Sequence, residues 1–84
     1  MKEPSMTDDA TPDKIQTAVK FIANVLDIPE DQLGPDTSMD NTPAWDSSEH
    51  MNICLLFEQK FHVKLNMDMI MTATNVRALA ALIP

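Results

Sequence analysis

One glycine, one cysteine and no tyrosine leave this chain of 84 residues few means of building a catalytic centre. The lone cysteine, Cys54, excludes an intrachain disulfide and a cysteine-rich zinc site. Gly34 is the only glycine, so there is no Gly-rich turn to form an oxyanion hole. Aromatic residues make up only 5%, so a core must come mainly from Leu, Ile, Val and Met, the last present seven times. Methionine fills irregular gaps and tolerates repacking. Basic residues are also scarce, 6 against 13 acidic ones, for a net charge of −7. Phosphate backbones are held by Lys and Arg, so nucleic acid is excluded as a partner, and an anionic membrane is disfavoured for the same reason. Basic patches on partner proteins are the natural counterpart. No apolar run marks a signal peptide or approaches the length of a transmembrane helix, which sets the expectation of a soluble cytoplasmic monomer. A chain this short builds one core and hardly an enclosed active site.

What is present is helical patterning. Residues 1–11 are polar, acidic and poor in apolar side chains, and are expected to form a flexible tail ahead of one domain over residues 12–84. Thr11-Pro12-Asp13 is a helix start: a capping hydroxyl, a proline suited to the first helical position, and a carboxylate for the positive end. Ile15, Val19, Ile22 and Leu26 follow at helical spacing, widened by Ala18, Phe21 and Val25. Pro29 closes that helix. A long irregular stretch runs from Pro29 to Trp45, with Leu33, Met39 and Trp45 as expected anchors and a helical turn at Glu30 to Leu33. A second helix is expected from Ser47 to Phe61, with Met51, Cys54, Leu55 and Phe61 on its inner side and Ile53 and Phe57 broadening the arc. Asn66 caps a short third helix carrying Met67, Ile70 and Met71, and Thr74 or Asn75 caps a last one with Val76, Leu79, Leu82 and Ile83 inward. No strand alternation and no repeat is present, so the fold class is all-α, three main helices and a short one.

Trp45-Asp46-Ser47 stands where the long loop gives way to the second helix. On local pattern alone an Asp-Ser pair there is a capping device, since either side chain satisfies first-turn N–H groups. The same position has a second property. A phosphate esterified to Ser47 would face free backbone N–H groups and the positive helix end. His50 and Cys54, four residues apart, could share a helix face, but two ligands do not make a metal site. Ser47 and His50 lie three apart on one helix, a poor arrangement of nucleophile and base, so a hydrolase triad is not expected. His50 is read as a partly exposed residue near Ser47, Cys54 as core, and Trp45 as a loop anchor.

The stretch Trp45-Asp46-Ser47, His50, Met51, Ile53, Cys54, Leu55, Phe57-Glu58 and Phe61 resembles the second helix of acyl and peptidyl carrier proteins. The resemblance runs from Ile15 to Ile83 without obvious gaps and takes in Leu33, Met39 and Thr74-Asn75-Val76. It implies a four-helix bundle of acyl-carrier-protein type and a chain that performs no chemistry itself. It further implies that Ser47 receives 4′-phosphopantetheine from coenzyme A, with Asp46 helping to bind magnesium at the phosphopantetheinyl transferase. Ile53, Phe57, Ile70, Ala73 and Leu79 match positions lining a cleft that shelters an acyl chain. Ser48, Glu49, Asn52 and Glu58 match partner-docking positions. The implied partners are the transferase and the loading and synthase enzymes that handle acyl or aminoacyl thioesters.

Two departures from the family pattern bear on that reading. Ser48 stands where the family has an apolar Leu or Met that partners grip, and Asn52 and Gln59 replace side chains that are often acidic. Both point to a dedicated, specialised pathway rather than housekeeping fatty-acid synthesis. Ser48 also keeps open modification at Ser48 itself, and a cofactor-free helical module that binds a basic partner surface.

Overall fold

The computed structural model describes residues 11–84, and the expected tail of residues 1–11 lies, but for Thr11, outside them. Four helices follow in order: α1 over Pro12–Leu26, α2 over Ser47–Phe61, α3 over Met67–Thr72 and α4 over Val76–Ala81. Among the described residues there is no strand, and the fold is an all-α bundle of the carrier type.

Each helix begins on a side-chain cap. Thr11 Oγ1 accepts from Lys14 N–H at 3.2 Å, Asp46 Oδ1 from Glu49 N–H at 2.9 Å, Asn66 Oδ1 from Met69 N–H at 2.8 Å and Asn75 Oδ1 from Ala78 N–H at 2.7 Å. Such caps satisfy donors that the first turn leaves free. For the six-residue helices α3 and α4, too short to be stable alone, they are a large share of local order. The two long helices end differently. Asp27 and His62 close α1 and α2 in the left-handed region, at φ 60° and 56°.

Packing follows from the apolar faces. Ala18, Val19, Phe21, Ile22, Ala23 and Leu26 of α1 are buried, α1 makes its most extensive contact with α4, and Val76, Leu79 and Ala80 of α4 are buried. All three phenylalanines meet at the contact of α1 and α2. Phe21 lies edge-on to Phe57 and Phe61, with ring centroids 5.8 and 5.7 Å away, and Phe57 and Phe61 are 4.7 Å apart. Edge-to-face pairs of this kind add to the stabilisation from area burial.

The loop before α2 is anchored as expected, with Leu33 and Trp45 buried and Met39 packed on the core. Tight helical turns form at Glu30–Gln32 and at Met39–Asn41, the second not foreseen in the sequence. An antiparallel bridge between Ser38 and Asn75 pins the loop to the junction of α3 and α4, with Met39 N–H donating to Thr74 O and Val76 N–H to Thr37 O.

The inner faces of α2 and α3 differ from expectation. On α2 the buried residues are His50, Ile53, Cys54 and Phe57, while Met51 and Leu55 are exposed. On α3, Met69 and Ile70 pack on the core while Met67 and Met71 face out. Of the expected inner residues, Ile53, Cys54, Phe57, Phe61 and Ile70 do pack inward, while Met51, Leu55, Met67 and Met71 do not.

Candidate functional site

Ser47 is the first residue of α2 and is exposed. Asp46, also exposed, turns its carboxylate onto Glu49 N–H, and its carbonyl accepts from His50 N–H at 2.8 Å. That satisfies two of the four first-turn donors. The N–H groups of Ser47 and Ser48 have no hydrogen-bond partner among the described residues. The Ser47 hydroxyl therefore stands beside two free backbone donors at the positive end of a fifteen-residue helix. This suits a phosphodiester: the anion would be met by donors already in place.

Beneath Ser47 a buried network fixes the start of α2. His50 is only 5% exposed. Its Nδ1 accepts from Trp45 Nε1–H at 3.1 Å, and its Nε2 is 2.7 Å from the carbonyl oxygen of Ile70. Indole nitrogen can only donate and a carbonyl can only accept, so the imidazole is the neutral tautomer with hydrogen on Nε2. One ring thus ties the residue two before Ser47 to α2, and α2 to α3. The expectation of a partly exposed His50 is corrected: both ring nitrogens are engaged and the ring is buried. A histidine at the foot of the series His50, Ile53, Cys54, Phe57, Phe61 has regular helical spacing, and that spacing was the signal available.

Cys54 Sγ lies 3.6 Å from His50 Nε2 within the same core. Burial, with Glu58 adding to it, pushes the Cys54 thiol up from its ordinary value, so it is held as the unreactive thiol.

Beside Ser47 lies an open groove of about 320 Å³, lined by Ser47, His50 and Met51 of α2, by Met39 and Thr74, and by Met67, Ile70 and Met71 of α3. Four of the seven methionines border it. Of the five cleft residues named from the resemblance, Ile70 lines this groove. Ile53, Phe57 and Leu79 are fully buried in the core and Ala73 is nearly so. Of the docking positions, Ser48 and Asn52 are exposed, whereas Glu49 and Glu58 are half-buried. Glu58 Oε2 accepts from Leu65 N–H at 2.8 Å, which ties α2 to the segment leading into α3. Glu49 Oε1 is buried with no hydrogen-bond partner among the described residues.

A small helical bundle that offers a bare serine at the head of its second helix, over an apolar groove, has the build of a carrier domain. The chain belongs to that family: the family model described as the phosphopantetheine attachment site matches residues 16–83. A search of curated proteins returns no match. Membership makes this chain a carrier protein for phosphopantetheine-linked intermediates, with 4′-phosphopantetheine as its covalently bound cofactor. Domains of this family meet modifying and synthase enzymes and are generally non-catalytic. Among the described residues no helix is long and apolar enough to cross a membrane.

Proposed function

We propose that Ser47 is the attachment serine, and that the chain is a discrete carrier presenting acyl or aminoacyl groups to the enzymes of a specialised biosynthetic pathway. The observation that carries this is the exposed Ser47 hydroxyl at the head of α2, beside the free N–H groups of Ser47 and Ser48. When bound, the arm supplies a terminal thiol able to hold cargo as a thioester. The residues of this chain do the rest. The first turn of α2 receives the phosphodiester, Asp46 offers a carboxylate to magnesium at the transferase, and the Trp45–His50–Ile70 contacts hold that turn in place.

The specialised pathway is favoured by Ser48, Asn52 and Gln59, which are polar, uncharged and exposed on α2. A dedicated set of enzymes is the natural match for such a surface. In this reading the chain turns over no substrate, acts as a monomer and works in the cytoplasm.

The test is loading by coenzyme A and a broad-specificity phosphopantetheinyl transferase, followed by mass. Ser47→Ala is expected to take up nothing while keeping its helical circular dichroism, and Ser48→Ala is expected to load. Loading of the Ser47→Ala variant would overturn the assignment. Absence of loading in the unaltered chain would favour the cofactor-free module instead.

A further inference from the structure

We infer that His50 sets a length limit on the cargo. It bars the groove beside Ser47 from opening into the core, so the chain carries short acyl or aminoacyl groups and does not shelter long alkyl chains. The inference rests on Ser47 being the attachment serine. Two seams close the groove toward the core, and each is tied by a hydrogen bond. Between α2 and α3, His50 Nε2–H donates to the carbonyl oxygen of Ile70 at 2.7 Å. Between the loop and the junction of α3 and α4, Met39 N–H donates to Thr74 O at 3.0 Å. All four of these residues line the groove. Behind His50 stands Cys54, its Sγ 3.6 Å from Nε2, and the core beyond holds Ile53, Phe57 and Leu79, none with exposed surface.

The first seam resists an alkyl chain because the ring is held from both sides. Trp45 Nε1–H donates to His50 Nδ1 at 3.1 Å. A ring that swings aside for cargo leaves the indole N–H and the Ile70 carbonyl without partners. Methylene groups offer neither a donor nor an acceptor in return, and a buried polar group left unpaired costs more than a made bond returns. An apolar side chain at position 50 would leave that seam free to part; the tied imidazole does not. Phe57 adds to the block, packed against Phe21 and Phe61 with centroids 5.8 and 4.7 Å away, so the space inside α2 is already filled. What remains for cargo is the groove itself, about 320 Å³. That lies at the lower end of the range of about 300–1,000 Å³ in which small-molecule sites fall. Any part of it that the arm takes is lost to cargo. The thioethers of Met39, Met51, Met67 and Met71 adapt its walls to short groups of differing shape.

The test loads Ser47 from acetyl-, butyryl-, octanoyl- and decanoyl-coenzyme A with a broad-specificity transferase, and confirms each adduct by mass and peptide mapping. Stability in urea is then measured, together with the rate at which hydroxylamine cleaves the thioester relative to the same acyl-coenzyme A. Cargo that packs only in the folded chain raises stability and is shielded from cleavage. For the unaltered chain, the unfolding equilibrium constant and the relative cleavage rate are expected to stay within about twofold from butyryl to decanoyl. The double variant Trp45→Phe/His50→Ala removes the ring together with the donor that holds it. There the vacated apolar space is open to a guest, and octanoyl is expected to be cleaved at least about fivefold more slowly than butyryl. Stability and protection that climb with chain length in the unaltered chain would overturn the limit while leaving Ser47 as the attachment point. So would a double variant with intact helical circular dichroism in which octanoyl gains no protection. If the double variant does not fold, the length series on the unaltered chain decides alone. An unaltered chain that gains no mass on Ser47 would overturn the limit and the attachment together.

Discussion

His50 shows most plainly how one side chain connects sequence, packing and site. It sits at the foot of the apolar series of α2, is buried, and accepts from Trp45 while donating to Ile70. Replacing it by Phe keeps volume and apolar contact but orphans a buried indole N–H and a partly buried carbonyl. Each such orphan costs about 1–3 kcal/mol, so His50→Phe is expected to lose about 2–6 kcal/mol in urea unfolding. Adding Trp45→Phe removes one orphan, and the double variant is expected to lose less than the two single losses combined. Additive losses would mean the pair does not interact. Cys54 gives a second test at this scale. Its thiol is buried and pushed up, and only the thiolate is alkylated, so iodoacetamide at neutral pH is expected to label it only under unfolding conditions. Prompt labelling of the folded chain would contradict its place in the core.

The helices are where the sequence was most legible. Thr11-Pro12-Asp13 marks the start of α1, Asp46 the start of α2, and Asn66 and Asn75 the starts of α3 and α4, because a cap and the turn it serves lie within four residues of one another. Which way a helix faces was less legible. Met51, Leu55, Met67 and Met71 are apolar and were expected inward, but all four are exposed, because apolar character alone does not fix which side of a helix faces the core. The spacing of α2 could signal the burial of His50, but its partner Ile70 was hidden, being twenty residues away and on another helix. The groove beside Ser47 likewise draws on α2, α3 and two loops, and no local pattern announces it. The ends of the helices yield a prediction of their own. Asp27 closes α1 in the left-handed region with a carboxylate at the negative end of the helix dipole. Asn tolerates that backbone equally well and carries no charge. Asp27→Asn is therefore expected to stabilise the chain by about 0.3–1 kcal/mol at low salt, and less at high salt. A stability unchanged at both salt concentrations would show that the dipole has no part there.

Over the whole molecule, labour is divided between two halves of the bundle. α1 and α4, packed on each other, present none of the exposed large apolar residues. α2 and α3 carry Ser47, the groove and all of those residues. Net charge is −7, yet most described carboxylates fall outside α2 and α3, in line with the uncharged Asn52 and Gln59 read from the sequence, so bulk charge describes the molecule and not these two helices. Family membership makes the chain a carrier for phosphopantetheine-linked groups. Where the arm is fixed is the central claim, and the direct measurement is an intact mass of the chain co-expressed with a competent transferase, followed by peptide mapping. The account predicts a gain of one phosphopantetheine unit, found on the peptide at Ser47. An unchanged mass, or the added group on Ser48, would contradict it.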